Sequence, residues 1–276
     1  MKKQDSLILS AKHGISNSCF DNHFHDAYEL IYVMGGSISV TIEKKNYIAS
    51  KHSLILISNL ENHSARLLEA PFERYYTTIS TPTADHMIGN PTLISILKNH
   101  PATFCPVFDA SSVHEKLMEY FNTVLSEAGR NDQFQNDIYA CSLKQLLISL
   151  FRAYPEHFPT MESSVAPTIY EIQKYIDINY AQPLLIEDIA KEHYINLYHL
   201  SHSFKKLTGY SPKQYLIHTR LARAKELLYH TQEPIGTISF KCGFSDTSNF
   251  IRLFKAEVGI TPNQYRKQDI HKNPIF

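Results

Sequence analysis

An internal repeat near the C-terminal end constrains this sequence more than any other feature. FKKLTGYSPKQY at 204–215 recurs as FKAEVGITPNQY at 254–265, with Phe, Lys, Gly, Pro, Gln and Tyr at identical spacing. Upstream of each copy, apolar residues at helical spacing mark a short helix, which is followed by a turn and a second helix. The repeat therefore predicts two helix-turn-helix units, at about 186–207 and 235–258.

Helix start and stop signals support these units. Asn196 and Asp246 are suitable N-caps for the second helix of each unit. Gly209 and Gly259 stand where the end of a helix often requires a positive φ. Between the units, residues 212–230 are predicted to form one helix about 28 Å long, at 1.5 Å per residue. Successive major grooves on one face of DNA lie about 34 Å apart, so this helix could present both units to successive grooves.

Charge is distributed unevenly along the chain. The 276 residues carry no net charge, but residues 1–168 hold 13 Lys and Arg against 17 Asp and Glu, and residues 169–276 hold 14 against 10. The neutral total argues against a wholly basic nucleic-acid binder and against an acidic disordered chain. Residues 155–168 contain three prolines and little hydrophobic periodicity, as linkers do. The basic half is therefore the part expected to meet a polyanion.

The sequence predicts a soluble, cytoplasmic protein without a membrane span. No apolar run approaches the roughly 20 residues that a spanning helix needs, and the N-terminus lacks the apolar core of a signal peptide. The four cysteines, Cys19, Cys105, Cys141 and Cys242, lie far apart without a CxxC pair. That spacing favours reduced thiols over a disulfide framework or a zinc knuckle.

The first 80 residues show the patterns of β-strands. Residues 28–34 and 37–43 flank Gly35-Gly36, which predicts a hairpin with its turn at the glycines. Residues 53–58 and 75–80 add short strands, at a spacing expected of a small barrel or sandwich. From residue 111 the period becomes helical, with two amphipathic helices at about 111–128 and 134–154. These helices pack onto the β unit or pair with another chain.

Residues 169–268 resemble the DNA-binding domain of the AraC/XylS family of bacterial transcription regulators. The residues that carry the resemblance are RLARAKELL (220–228), Ile235 and Ile238, Gly243-Phe244, Asn249-Phe250, Phe254-Lys255, and Gly259 with Thr261-Pro262. The resemblance implies that the second helix of each unit, at 197–207 and 246–258, enters the major groove. The outward positions on these helices are Tyr198, His199, Ser201, His202, Lys205 and Lys206 on the first, and Thr247, Ser248, Asn249, Arg252 and Lys255 on the second.

The chemistry of these positions suits DNA recognition. Arg252 can make a bidentate contact with guanine and Asn249 with adenine. The lysines suit phosphates, which contribute affinity without sequence information. The first helix has no Arg, so its base contacts would be weaker or water-mediated. Each position taken alone is equally consistent with a solvated helix face, but their occurrence on two repeated helices in the basic half favours DNA binding.

The segment His23-Phe24-His25 through Glu29 resembles the first motif of the cupin barrel. Strand periodicity places His23, His25 and Glu29 on one face, and His63 would be the fourth ligand of a metal-binding cupin. The second motif departs from the pattern: Ser58 and Leu60 stand where cupins have Pro and Gly, and Leu67 stands in place of Asn.

Three interpretations of these four residues remain. In the preferred interpretation they hydrogen-bond a small effector, which the family resemblance suggests is a sugar. In the second they hold a divalent Zn, Fe, Ni or Mn ion, which their ligand types suit. In the third they are structural polar residues of a barrel without ligand. No other cofactor is indicated.

Together these features predict an α+β protein of two domains. A cupin-like β-barrel with a helical pair occupies 1–154, a linker 155–168, and an all-α domain with two helix-turn-helix units joined by a long helix 169–268. We expect a ligand-responsive, sequence-specific transcription regulator, not an enzyme, that forms a homodimer through the helices at 111–128 and 134–154. On family resemblance it would activate a sugar or other metabolite operon, binding promoter DNA and RNA polymerase.

Two alternatives remain open. One is a cupin-type metal-dependent enzyme fused to a DNA-binding module, which needs the four residues above to hold a metal with an open coordination position. The other is a constitutive dimeric DNA-binding regulator whose front domain takes no effector. Other enzyme classes have no support, because the sequence shows no nucleophile-base pattern and neither glycine-rich phosphate loop, G-x-x-x-x-G-K-[ST] or G-x-G-x-x-G.

Overall fold

The chain divides into two units, residues 1–160 and 161–276, in a computed structural model of the protein. The structure describes residues 6–16, 20–23, 25, 27–59, 61–101, 103–130, 132–158 and 165–269. The division falls within the predicted linker at 155–168. Pro155–His157 form a single 3-10 turn, and Phe158 is buried in the core of the first unit. The beginning of the predicted linker therefore packs as part of that unit.

One antiparallel sheet forms the centre of the first unit. Its strands are β1 (Ile8–Ser16), β2 (Phe20–His23), β3 (Ala27–Ile42), β4 (Lys45–Ser50), β5 (Ser53–Ile57), β6 (His63–Ser80) and β7 (Val107–Asp109). Among the described residues these seven strands follow the order β1-β6-β3-β5-β7, with β2 also paired to β6 and β4 to β3. The two long strands β3 and β6 pair along most of their length, so they form the frame for the site described below.

The hairpin predicted at Gly35-Gly36 is wrong. β3 continues through both glycines and stays paired with β6, with register shifts around Gly35 that mark a bulge. Gly36 has a φ of 70°, and a Cβ there would lie 2.4 Å from the carbonyl oxygen of Pro71. The glycines therefore let the strand bend closely against its neighbour. The hairpin turn lies instead at Glu43 and Lys44, between β3 and β4.

Alternate residues of β3 contribute to two separate cores. Tyr28, Leu30 and Tyr32 face the helices α1 (Thr81–Ile88), α2 (Pro91–Lys98), α3 (His114–Glu127) and α4 (Gln135–Ala153). Ile31 and Val33 face the opposite side of the sheet, where they form an inner core with apolar residues of β4, β5 and β6. Residues of β3 and β6 that share the side of Ile31 are called inner-face residues below. The predicted helices at 111–128 and 134–154 thus pack on the sheet through their buried sides.

The second unit is helical, as predicted. Its helices are α5 (Ala166–Asn179), α6 (Ile186–Glu192), α7 (Leu197–Thr208), α8 (Pro212–His230), α9 (Ile235–Lys241), α10 (Thr247–Val258) and α11 (Pro262–Asp269). The predicted caps are confirmed: the side chains of Asn196 and Asp246 accept backbone hydrogen bonds, and Gly209 and Gly259 have φ of 83° and 85°. No helix in the described part of the chain is long and apolar enough to cross a membrane.

Candidate DNA-binding helices and effector site

Buried aromatic residues fix the orientation of α7 and α10. Leu200 and Phe204 of α7 are fully buried, as are Phe250 and Phe254 of α10. Because residues four apart lie on the same face of a helix, each pair fixes one side of its helix against the core. The opposite side of each helix therefore faces outward.

The structure places most of the eleven predicted DNA-contacting residues on these outward sides. Exposed side chains belong to Tyr198, His199, His202, Lys205, Lys206, Ser248, Asn249, Arg252 and Lys255. Ser201 and Thr247 are only partly exposed. The Oγ1 atom of Thr247 would lie 3.7 Å from a Cβ on Gly236 of α9, so this side chain lies towards the neighbouring helix.

The two outward faces differ in chemistry. On α10, the Nη2 atom of Arg252 donates a hydrogen bond to the Oδ1 atom of Asn249 at 2.8 Å. On α7, the rings of Tyr198 and His202 stack with 6.4 Å between their centroids, and Tyr198 is 79% exposed. The second helix thus presents a guanidinium-amide pair, whereas the first presents an aromatic pair followed by lysines in its last turn.

Arg220 has a role that the sequence analysis did not assign. Its Nε atom donates to the carbonyl oxygen of Tyr180 at 2.8 Å, and its Nη2 atom donates to that of Gln182 at 2.8 Å. The hydroxyl of Tyr215 also donates to Asp177 at 2.8 Å. These contacts join α8 to the end of α5. Arg220 therefore stabilises the packing of the helices around the two helix-turn-helix units rather than presenting its charge outward.

In the first unit, three of the four predicted effector residues come together. The Oε2 atom of Glu29 lies 3.6 Å from the Nε2 atom of His25 and 3.5 Å from that of His63. The rings of the two histidines meet edge to face, with centroids 5.1 Å apart. The backbone of His23 pairs with His63 in the sheet, but its side chain lies outside the described part of the structure.

The two histidines determine the ionisation of Glu29. Burial alone would raise the pKa of this carboxyl, but the close polar contacts and electrostatic attraction of His25 and His63 outweigh it and hold the pKa well below its usual range. The site therefore contains a carboxylate anion, which can accept hydrogen bonds from a ligand.

The same three side chains fit a divalent ion. Their candidate ligand atoms lie within 4.8 Å of one another. Ligands about 2.1 Å from a tetrahedral ion are about 3.4 Å apart, close to the two distances above. Two imidazoles and a carboxylate suit Zn or Fe, and a bound ion would supply a Lewis acid towards a ligand hydroxyl.

Two further residues of β6 face this region, and neither was predicted from the sequence. Thr78 pairs in register with Glu29, and Arg74 pairs with Val33, so both are inner-face residues. The predicted strand began at residue 75 and therefore excluded Arg74. Extending the alternation of Phe72, Arg74, Tyr76 and Thr78 back along the strand would have placed the arginine on this side.

Comparisons with known proteins identify the family of the chain. Residues 9–147 match the family model of an AraC-like ligand binding domain, and residues 189–268 match that of a helix-turn-helix domain. The chain belongs to the AraC family of transcription regulators. The front domain is thus a regulator's ligand-binding domain, and the regulator interpretation is confirmed over the enzyme alternative.

Individual relatives support the assignment. The HTH-type transcriptional regulator YdiP of Escherichia coli is 27% identical over 253 residues, which are 90% of this chain and 81% of that protein. The lactose operon transcription activator of Staphylococcus xylosus is 35% identical over 132 residues, 48% of this chain and 47% of that protein. The crystal structure of ToxT from Vibrio cholerae shares the fold, with a TM-score of 0.60 at 14% identity, over 95% of this chain and 99% of that one.

Proposed function

We propose that this regulator recognises promoter DNA through the outward sides of α7 and α10 and activates transcription when a small polar metabolite binds its front domain. One observation supports this most: α7 and α10, the second helices of two repeated helix-turn-helix units, each present adjacent exposed polar side chains. The Arg252–Asn249 pair is the strongest candidate for base recognition, since guanidinium and amide groups make bidentate contacts with guanine and adenine. Lys205, Lys206 and Lys255 would bind phosphates.

Selection of binding sites from random-sequence DNA with the full-length protein provides the test. Arg252→Ala should reduce binding to the best site by about 1–3 kcal/mol and relax the preference at one base position. Lys206→Ala should weaken all sites alike and lower the slope of binding against salt by about one.

Lys51→Ala is the matched control, because this lysine is exposed in the turn between β4 and β5 of the other unit; it should change neither quantity. Unchanged affinity and specificity in Arg252→Ala would contradict the assignment of α10 as a reading helix.

For the effector, we propose a sugar or other polyol bound at His25, Glu29 and His63. The support is a largely buried carboxylate between two imidazoles, which offers acceptors and donors to hydroxyl groups, and the lactose operon activator among the relatives. A ligand at a hundred times its dissociation constant should stabilise the protein by about 2.7 kcal/mol. Thermal unfolding with sugars and with divalent metals, on wild type and His25→Ala, checks this.

A sugar-induced shift lost in His25→Ala supports the site. If divalent metal alone shifts the unfolding transition and His25→Ala abolishes that shift, these residues bind an ion and not a sugar. If no compound of the panel shifts the transition, the constitutive regulator without effector is favoured.

We further propose a homodimer that contacts RNA polymerase. Phe134, Ile138 and Ile148 are large apolar residues on or next to α4 that remain exposed in the described chain, and contact with a second copy would remove their apolar surface from water. Sedimentation velocity should show a dimer that Ile138→Asp converts to monomer. In-vitro transcription with purified polymerase should rise with the dimer and not with the monomer; equal activation by both would contradict a need for dimerisation.

A further inference from the structure

Arg74 places a positive charge on the inner face of the sheet. It alternates along β6 with Phe72 and Tyr76, which are buried in the inner core. Its guanidinium carbon lies 5.2 Å from the centre of the Phe72 ring and 5.7 Å from that of the Tyr76 ring. Stacking on both rings holds the charged group in a partly apolar environment.

This guanidinium has no anionic partner among the described residues. Within the part of the chain that the structure describes, Arg74 makes neither an ion pair nor a side-chain hydrogen bond, although it is partly buried. Burial lowers the pKa of Arg74, and the negative charge of Glu29 offsets only part of that effect. A half-buried guanidinium gains most from a hydrogen-bonded anion, because charge-assisted bidentate pairs are the strongest that it makes.

An independent observation points to a ligand on the same face. Thr78 is 1% exposed, and in the described structure its Oγ1 atom has no hydrogen-bond partner. Buried hydroxyls are normally paired. Because Thr78 stands opposite Glu29, the unpaired hydroxyl lies beside the carboxylate that His25 and His63 hold.

The register of the strands sets the distance between these groups. Three successive inner-face pairs connect β3 with β6: Glu29 with Thr78, Ile31 with Tyr76, and Val33 with Arg74. At about 3.4 Å per residue, the first and last pairs are about 14 Å apart along the backbone. The inner face therefore carries the Glu29 carboxylate and the Thr78 hydroxyl at one end and the Arg74 guanidinium at the other. Aromatic and aliphatic side chains lie between them.

We propose that the effector is an anionic polyol, whose carboxylate or phosphate group pairs with Arg74 while its hydroxyls bond to Glu29 and Thr78. This rests on the effector site proposed above and narrows it from polyols in general to those that carry a negative charge. The chemistry includes sugar acids and sugar phosphates. The positive charge of Arg74 distinguishes such a ligand from a neutral sugar.

The test measures thermal stabilisation and calorimetric affinity of the full-length protein with matched probes. The acids are gluconate, glucuronate and galacturonate, the phosphates are glucose 6-phosphate and galactose 6-phosphate, and the neutral probes are glucose and galactose. Acetate and inorganic phosphate report binding of the anion alone. The variants are Arg74→Gln, Arg74→Lys and the control Arg66→Gln, an exposed arginine of the same strand.

We expect at least one anionic probe to bind at least tenfold more tightly than its neutral counterpart. Arg74→Gln should abolish that difference, Arg74→Lys should retain part of it, and Arg66→Gln should retain all of it. Preference for acids or for phosphates identifies which anion the site takes.

Two results overturn the proposal and separate it from the effector site itself. If a neutral sugar binds as tightly as the charged probes, and does so in Arg74→Gln but not in His25→Ala, the effector site stands and the anionic ligand is wrong. If no probe binds wild type better than Arg74→Gln and none depends on His25, both the anionic ligand and the effector site are wrong.

Discussion

Tyr194 in the first helix-turn-helix unit and Gly243 in the second occupy equivalent positions, and both have a left-handed backbone, with φ of 52° and 83°. Each amide donates to the carbonyl three residues earlier, and the amide after it donates to the carbonyl five residues earlier. This is the Schellman arrangement that ends a helix. The second turn is one residue longer, with Ser245 before the N-cap Asp246.

The first prediction follows from the side chain at this position. A left-handed conformation costs a non-glycine residue about 1–2 kcal/mol, whereas the greater freedom of unfolded glycine costs about 0.5–1 kcal/mol. Tyr194 is 98% exposed and so loses little packing. Tyr194→Gly should therefore raise the free energy of unfolding by about 0.5–1 kcal/mol in urea denaturation.

Replacing glycine by alanine at the equivalent position of the second helix-turn-helix unit, Gly243, is the natural comparison. A Cβ on Gly243 would lie 2.6 Å from the carbonyl oxygen of Tyr180. Gly243→Ala should therefore destabilise the protein by about 2 kcal/mol or more, since strain and steric overlap add. A loss of stability in Tyr194→Gly would show that its exposed ring makes a contact that outweighs the backbone strain.

The bend in β3 supplies a second prediction. Gly36 has a positive φ, and a Cβ there would overlap the carbonyls of Glu69 and Pro71, at 2.5 and 2.4 Å. The neighbouring Gly35 would place its Cβ no closer than 3.9 Å to Glu73. Gly36→Ala should lower the free energy of unfolding by about 2 kcal/mol or more, and Gly35→Ala should change it by less than about 1 kcal/mol. Equal effects of the two substitutions, measured by urea unfolding, would contradict a specific need for glycine at 36.

Acid stability should depend on Asp109. Hydrogen bonds from the backbone amide and hydroxyl of Ser111 hold the pKa of this carboxyl below its usual range. Because the folded pKa is depressed, the stabilisation is complete above the pKa of the unfolded chain and disappears as the pH falls through the folded value. Unfolding measured between pH 2.5 and 6 should therefore show a smaller rise in stability with pH for Asp109→Asn than for wild type.

Ser111→Ala separates the two hydrogen bonds. This variant keeps the backbone amide but loses the hydroxyl, so its rise in stability should lie between those of wild type and Asp109→Asn. A slope for Asp109→Asn identical to that of wild type would mean that the carboxylate contributes no acid-dependent stability.

The sequence predicted the second unit well because its signals are local. The bounds of α8, the N-caps Asn196 and Asp246, and the glycines that end α7 and α10 depend on residues within a few positions of each other. Because the two helix-turn-helix units repeat each other, the positions of the helices in the first predicted those in the second. Even the backbone of Tyr194 could have been inferred, because Gly243 stands at its repeated position.

The N-terminal unit, residues 1–160, was harder to predict because its strands pair with residues that are distant in the sequence. Gly35-Gly36 has the local pattern of a turn, but the pairing of β3 with β6, more than 30 residues later, makes it a bend. That pairing also places Arg74 on the inner face. His63 pairs with Ile42 and with His23, whereas Glu29 pairs with Thr78, so the contact between His63 and Glu29 joins parts of the sheet that are distant along these strands. His25 and Glu29 were found because a short motif carries them, whereas no local pattern indicates that Arg74 lacks an anionic partner among the described residues.

Cys242 provides a last prediction, on thiol reactivity. It is fully buried where α9 ends, and burial raises its pKa to about 12. Since the thiolate is the nucleophile in alkylation, Cys242 should resist iodoacetamide at pH 8, whereas the exposed Cys141 should react within the same time. Peptide mass spectrometry after timed alkylation measures each site, and labelling in denaturant provides the reference in which both cysteines react fully. Equal labelling of the two cysteines in the native protein would mean that the end of α9 opens readily, and the Schellman turn around Gly243 would then be less stable than its hydrogen bonds indicate.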